Sequence, residues 1–271
     1  MKKIRVAMLV NDFNMNGISK VADSYCSNID RNKFEVSVIA GEPVSEVYIE
    51  KYKELGVTIK TLPNRKRSSL AYYKALFKVL KKGRYDIVHI HFGGLYALII
   101  RFALLGVNAK KVITFHGTDI HAKALKTAKG WKERLKIKLN QKASFLSIRL
   151  FDSCGFVAAE MIDYVPKCLS YLLKKKGFVQ ALGVNYEVFK PIEKEEAIKH
   201  LGLEDNKKYV LFSDVSNTSI KRRDIAENIV KCLSSNYSLL IMCGVKPQEV
   251  PYFINASNFL LLTSDEEGSP N

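Results

Sequence analysis

The sequence predicts an α/β protein with two doubly wound parallel sheets, the second of them incomplete. Three observations carry this. Short runs rich in β-branched and aromatic residues alternate with stretches of helical period, the mark of strand–helix–strand units and a parallel sheet. The series starts afresh near Tyr209. This second series stops at Asn271 after few elements, where a domain of about 100–150 residues would need more chain.

Strands are expected over residues 4–10, 34–40, 57–62, 86–91, 111–115 and 155–158. Between them Leu70, Tyr73, Phe77 and Leu80 recur at helical spacing, with lysines on the other faces. Lys174-Lys175-Lys176-Gly177 leads into a strand over 178–181, then Gly183-Val184-Asn185, and a polar helix over 193–201. The second series reads as strand 209–213, helix 221–233, strand 238–243, a short helix near Glu249 and strand 259–263. The domain boundary is placed near Lys175, giving domains 1–175 and 176–271.

A length of 271 residues leaves room for two domains, and 47% hydrophobic residues exclude global disorder. The five cysteines, Cys26, Cys154, Cys168, Cys232 and Cys243, are scattered and form no CxxC pair. Zinc and redox-motif readings therefore have no support, and free thiols in a reduced, cytoplasmic protein are expected. The opening Met1-Lys2-Lys3 and its apolar run look like a signal peptide. The run breaks at Asn11-Asp12 and lacks a small-residue cleavage site, so it reads as a first strand. No apolar stretch approaches the ~20 residues of a membrane span; the run from Leu95 to Leu105 is cut by Arg101.

The net charge of +16 points to nucleic acid, an anionic membrane surface or an acidic small ligand. Arg65, Lys66, Arg67, Lys74, Lys78, Lys81, Lys82 and Arg84 cluster without an intervening acid. Lys123, Lys126, Lys129, Lys132, Arg134, Lys136, Lys138 and Lys142 do so with Glu133 alone among them. An RNA-recognition sequence of interleaved aromatic and basic residues is lacking, which sets a nucleic-acid binder behind the other readings.

In open α/β sheets ligands sit at the carboxyl ends of strands, so the loops there hold the candidate chemistry. After the first strand Asn16-Gly17 precedes a helix. Gly17 either opens backbone N–H groups to a ligand or is an ordinary turn glycine with Asn16 or Ser19 capping. His89 and His91 share one strand face by the two-residue period. His89 reads as a packed histidine, while His91, at the tip, could line a cleft. In Phe115-His116-Gly117-Thr118-Asp119 the histidine ends a strand and Asp119 can cap the next element. His116 there either bonds a sugar or phosphate or is a structural turn residue. Lys221-Arg222-Arg223 opens a helix, where cations are unfavourable unless an anion is held nearby; the alternative is solvated side chains. Asp265-Glu266-Glu267 could mimic an Asp-x-Asp metal clamp, but it comes after a complete first domain. Glu267-Gly268-Ser269-Pro270-Asn271 suggests instead a carboxylate beside exposed amides.

Taken in order, the Asn16-Gly17 loop, Asp86-Ile87-Val88-His89-Ile90-His91, Phe115-His116-Gly117-Thr118-Asp119, Gly183-Val184-Asn185 with Phe189 and Pro191, Lys221, and Glu267-Gly268-Ser269-Pro270-Asn271 resemble family 4 glycosyltransferases. Those enzymes have the two-Rossmann-domain fold called GT-B. The resemblance implies transfer of a sugar from a nucleotide-diphosphate donor to a glycan or lipid-linked acceptor, with retention and without metal or other cofactor. It implies a place in cell-surface polysaccharide synthesis. Gly17 would sit near the donor diphosphate, His116 would contact the transferred sugar, and Lys221 would stabilise the leaving diphosphate. Glu267 would be the first carboxylate of the Glu-x7-Glu motif, with the amides of Gly268, Ser269, Pro270 and Asn271 alongside. The family's arginine usually precedes the lysine. Here Arg222 and Arg223 follow it, so either Arg222 substitutes or the phosphate site is weaker. The second glutamate would fall beyond Asn271, which makes the chain a truncated member by this reading. The first domain is then expected to fold and the second to be marginal, and this form could bind a nucleotide sugar or acceptor without turning it over.

Many relatives use lipid-linked acceptors at the cytoplasmic membrane face. Trp131, Leu135 and Leu139 form an i, i+4 stripe flanked by Lys132, Arg134, Lys136 and Lys138, an interfacial-helix pattern. Either it lies on an anionic membrane or it packs on the domain core.

Overall fold

The computed structural model of the chain describes residues 2–13, 17–121, 125, 128, 130–181, 183–214, 221–246 and 248–264. The chain forms two compact units, one within residues 1–182 and the other within 183–267.

The first unit is a parallel sheet of seven strands: β1 (Ile4–Phe13), β2 (Phe34–Val44), β3 (Thr58–Leu62), β4 (Ile87–His91), β5 (Lys110–Phe115), β6 (Ser153–Phe156) and β7 (Gly177–Val179). Their order is β3-β2-β1-β4-β5-β6-β7, with β1 at the point where the order reverses. Helices cover both faces, so the strands read as near-continuous apolar runs. The two-residue period assigns each side chain. Ala7, Leu9, Ile39, Val88 and Ile90 join one core with Tyr72, Leu76 and Leu80 of α3 (Ser69–Lys82) and Tyr96, Ala97 and Ile100 of α4 (Gly94–Ala103). Val6, Met8, Val10, Val36 and Val38 join the other with Ala22 and Cys26 of α1 (Gly17–Asn28) and Tyr48 and Tyr52 of α2 (Glu46–Glu54).

Local chemistry explains where elements begin and end. Ser68 caps α3, its hydroxyl accepting the Ala71 N–H, and Lys81 and Lys82 sit in the last turn, where the helix dipole favours cations. An aspartate ahead of a strand takes the N–H of the second residue of the neighbouring strand. Asp86 does so for Arg5 and Asp152 for Lys111, each at 2.7 Å. The motif's Asp86 thus sets strand entry at the amino edge of the sheet.

One assignment from sequence changes, and one of two open alternatives falls. The boundary expected near Lys175 falls too early, because Gly177–Val179 pairs with Cys154–Phe156 and closes the first sheet as β7. Helix α5 (Trp131–Leu150) does not pack its Trp131 stripe on the core. Trp131 is 69% exposed, Leu135 47% and Leu139 46%, and buried contact begins only at Ala143. Helices α4 and α5 run side by side in the same direction. Gly94 N–H donates to Ser144 Oγ at 2.8 Å and Arg101 Nε to the Leu150 carbonyl at 2.8 Å. The exposed first turns of α5 therefore extend past the start of α4, on the side of the strands' carboxyl ends, by about 13 Å at ~1.5 Å per residue. Two 3-10 segments, Ala159–Tyr164 and Lys167–Leu169, and α6 (Ser170–Lys176) then lead to β7.

The second unit holds α7 (Lys194–His200), β8 (Lys208–Ser213), α8 (Arg223–Lys231), β9 (Tyr237–Met242), α9 (Val250–Ala256) and β10 (Phe259–Leu260). Its parallel sheet has the order β10-β8-β9. Ala197, Ile198 and Ala256 form a small buried cluster with Tyr252, Leu201 and Leu203 packed against it.

Candidate active site at the carboxyl ends of the strands

Polar side chains gather on one face of the first sheet where β4 and β5 end. Strands β4 and β5 pair with His91 opposite Thr114. The residue after Phe115 therefore stands beside the end of β4. His91 Nδ1 lies 3.3 Å from His116 Nε2, and His89 Nε2 lies 2.8 Å from Thr114 Oγ1. The His89 and His91 rings are 4.3 Å apart at their centroids, with Tyr25 of α1 at 5.8 and 5.7 Å from them. His91 is fully buried and His116 half-buried. Burial lowers the pKa of His89 and of His116 to about 4 and drives that of His91 well down, with the neighbouring imidazoles adding to the effect at His89 and His91. All three rings are neutral at pH 7. His116 therefore acts as a hydrogen-bonding group there, not as a cation.

Asp119 ties the two strand tips together. Its carboxylate accepts the N–H of Gly93 at 2.7 Å and the N–H groups of His116 and Gly117 at 2.9 Å each. Sequence reading made Asp119 the cap of the next element. Its carboxylate instead closes its own turn and reaches across to β4. The geometry needs glycine: Gly117 has φ 122°, and a Cβ on Gly93 would lie 2.5 Å from Ser144 Oγ. Phe92, between His91 and Gly93, holds φ 113°, a strained value for a residue with a side chain. Desolvation raises the Asp119 pKa to about 6 despite its backbone hydrogen bonds, so the carboxylate is ionised at neutral pH.

The first three N–H groups at the start of α4 already have side-chain acceptors. Gly93 donates to Asp119, Gly94 to Ser144 Oγ and Leu95 to Asn140 Oδ1. Asn140 and Ser144 sit one turn apart on α5, a polar i, i+4 pair on its inward side that sequence reading passed over. At the end of β1, Gly17 is exposed and opens α1, whose first turn faces the same edge of the sheet.

In the second unit Arg222 precedes α8 in a left-handed conformation, φ 53°. Its guanidinium forks onto Asp224, with Nε to Oδ1 at 3.0 Å and Nη2 to Oδ2 at 2.9 Å. Arg223 donates to Glu227 at 2.8 Å and lies 4.0 Å from the buried Asp214 at the tip of β8. Arg222 and Arg223 thus have carboxylate partners within the chain, and their presence no longer requires an external anion. Thr263 Oγ1 donates to the carbonyls of Lys221 and Arg222, fixing the loop to the segment after β10. Glu267, Gly268, Ser269, Pro270 and Asn271 lie outside the described residues, as do Asp265, Glu266 and Asn16. Among the described residues no group of three or more His, Cys, Asp or Glu is placed to hold a metal ion, and no helix is long and apolar enough to cross a membrane.

Comparison with curated protein sequences returns no match. Solved structures share the fold. Anabaena HepE, solved with UDP and glucose, superposes with a TM-score of 0.67 at 11% identity, covering 96% of this chain and 74% of HepE. WaaG, a glycosyltransferase involved in lipopolysaccharide biosynthesis, gives 0.63 at 14%, with 96% and 75% covered. The catalytic domain of starch synthase IV from Arabidopsis thaliana, bound to ADP and acarbose, gives 0.58 at 14%, with 98% and 75% covered. These are GT-B glycosyltransferases, and at such identities the likeness establishes a shared Rossmann-like α/β fold. The model of Glycosyltransferase Family 4 matches residues 15–165, more than half of the sequence. The chain belongs to glycosyltransferase family 4.

Proposed function

We propose that the chain moves a sugar from a nucleotide-diphosphate donor to a glycan or lipid-linked acceptor, with retention and without a metal, in making a cell-surface polysaccharide. The observation that carries this reading is His116: neutral, half-buried, and held at a strand tip by His91 and Asp119. A neutral imidazole can bond a hydroxyl of the transferred sugar without the competing charge of an imidazolium. In the reaction the bond from the anomeric carbon to the diphosphate oxygen breaks and the acceptor oxygen bonds the same carbon. The acceptor proton passes to the leaving diphosphate. Charge builds on that diphosphate, so groups aimed there stabilise the transition state more than the ground state. Lys221 and Arg222 are the cations assigned to it, with Gly17 at the start of α1. Glu267 and the N–H groups of Gly268, Ser269 and Asn271 are assigned to the sugar, with Pro270, which has no N–H, shaping the loop between them.

The test is turnover against a panel of UDP-, ADP- and GDP-sugars; UDP-glucose leads because HepE was solved with UDP and glucose. His116→Ala should cut kcat by roughly 100- to 1000-fold, the loss expected for one preorganised polar contact at the reacting centre. Binding of a donor with equal turnover in both proteins would overturn the role of His116. Failure to bind any nucleotide sugar would overturn the reading.

The same reading places the protein on the inner face of the plasma membrane as a peripheral protein. The support is α5, whose Trp131, Leu135 and Leu139 are exposed among Lys132, Arg134, Lys136 and Lys138 at the end of the unit that carries His116. Trp131 is the sole tryptophan, so its emission reports on the stripe directly. Vesicles containing phosphatidylglycerol should shift that emission to the blue, salt should reverse the shift, and Leu135→Glu with Leu139→Glu should abolish it. Emission unmoved by anionic vesicles would remove the membrane from the reading.

A further inference from the structure

We propose that His91 positions His116 by fixing its tautomer, so that His116 meets its substrate as a hydrogen-bond donor through Nδ1. This rests on the glycosyl-transfer reading for its consequence, but not for its geometry.

His91 Nδ1 and His116 Nε2 face each other at 3.3 Å. One proton fits between them, and two arrangements are available. Either His91 carries its proton on Nδ1 and donates, or His116 carries its proton on Nε2 and donates. The other nitrogen of His91 decides. His91 Nε2 is buried and has no hydrogen-bond partner among the described residues. A proton there would be a buried, orphaned N–H, a rarer and costlier state than an unmatched lone pair. The proton of His91 therefore sits on Nδ1 and is donated to His116 Nε2. His116, neutral, then carries its own proton on Nδ1, the nitrogen that His91 does not engage.

The ring of His91 is held to this task from several sides. The His89 ring lies 4.3 Å away, tilted, and is itself bonded to Thr114, while Tyr25 lies 5.7 Å off on the α1 side. The Asp119 bridge fixes the backbone of both tips, so the two imidazoles cannot drift apart without breaking it. The 3.3 Å separation is long for such a bond, as catalytic hydrogen bonds often are before substrate arrives. Burial, which keeps the three rings neutral, keeps the pair in this single-proton arrangement at pH 7.

Histidine-selective 15N labelling with two-bond 1H–15N correlation spectra reads ring tautomers directly, and loss of a signal in His116→Gln assigns it. In the wild-type chain His116 is expected as the Nδ1–H form. His91→Leu removes the donor, and His116 should shift to a mixture or to the Nε2–H form. His91→Asn keeps an amide near the Nδ1 position and should restore the Nδ1–H form. If the transfer reading holds, kcat should fall roughly 10- to 100-fold in His91→Leu at nearly constant KM and recover in His91→Asn. An Nε2–H form in the wild type, or an unchanged tautomer in His91→Leu, would overturn the proposal. Should His91→Leu not fold, the wild-type spectrum decides alone. Expected tautomers without turnover on any donor would leave this inference standing and sink the transfer reading.

Discussion

The tips of β4 and β5 in the first unit and the start of α8 in the second both gather polar side chains beside a strand end, yet they are built in opposite ways. At the first, neutral rings and one buried carboxylate satisfy one another inside the fold: His89 on Thr114, His91 on His116, Asp119 on three N–H groups. At the second, charged side chains pair near solvent, Arg222 with Asp224 and Arg223 with Glu227. Buried polar networks are costly to disturb, because a group that loses its partner cannot turn to water. Exposed pairs are cheap to break and free to exchange partners. The first arrangement suits holding a geometry and the second suits supplying charge on demand.

The sharpest way to break this contrast is to cut Asp119. Asp119→Ala would orphan the N–H groups of Gly93, His116 and Gly117 at once. The cost should be about 3 kcal/mol or more, from ~1–3 kcal/mol for each buried group left unsatisfied. Asp119→Asn should cost less. Its oxygen can still accept from His116 and Gly117, but its NH2 would face the Gly93 N–H, donor against donor. Urea unfolding followed by circular dichroism orders the three proteins. If Asp119→Ala unfolds with the wild type, the network is ornamental and the contrast fails.

A second test uses pH. Unfolded histidines take up protons near pH 6.5, while His89 and His116 in the folded chain resist until about pH 4 and His91 lower still. Between those values the unfolded chain binds more protons. The histidines' contribution is therefore fully present above about pH 6.5 and is lost as pH falls toward 4. Asp119 works the other way. Its folded carboxyl titrates near 6, above its unfolded value, so its contribution is greatest below about pH 4 and is lost as pH rises through 6. Three rings against one carboxylate should leave a net loss of a few kcal/mol on acidification, with His89→Gln flattening the slope. Urea midpoints measured at pH 7, 5.5 and 4.5 test the sign. Stability that rises steadily toward pH 4.5 would mean the rings are not buried neutral in solution.

The sheets were largely legible because parallel strands buried on both faces must be near-continuous apolar runs. Residues 86–91 and 111–115 were placed within about a residue of β4 and β5 for that reason. His116 was legible as a strand-tip residue before glycine. Its partner was not: the His91–His116 pair depends on the relative register of two parallel strands, which no local pattern encodes. Asp119 was misread because Asp after a glycine turn is a common cap, and only the fold shows Gly93 arriving to share it. The stripe on α5 had two readings from sequence, since an apolar i, i+4 row has the same spacing whether it meets core or solvent. The strand after Gly177 was legible, but a boundary set at the lysine run before it gave it to the second domain, because its pairing with Cys154–Phe156 is a long-range contact that no local pattern encodes.

The smallest effect concerns the second region. Asp224 holds the fork of Arg222, and the pair is substantially exposed, 36% at the arginine and 62% at the aspartate. Asp224→Asn should leave the urea midpoint nearly unchanged, as loss of an exposed pair does. If Arg222 serves a nucleotide diphosphate, an incoming phosphate must compete with Asp224 for the same guanidinium. Weakening that competitor should tighten UDP binding several-fold in calorimetric titration. Arg222→Ala should weaken it, with equally little effect on stability, and the difference between variants should shrink in high salt. UDP affinity indifferent to both substitutions would assign Arg222 to the fold of the loop alone. It would also leave Lys221 as the cation at this helix start to be tested next. A tightening in Asp224→Asn with unchanged unfolding would separate the two regions as argued: one held rigid by what it has buried, the other kept ready by a partner it can release.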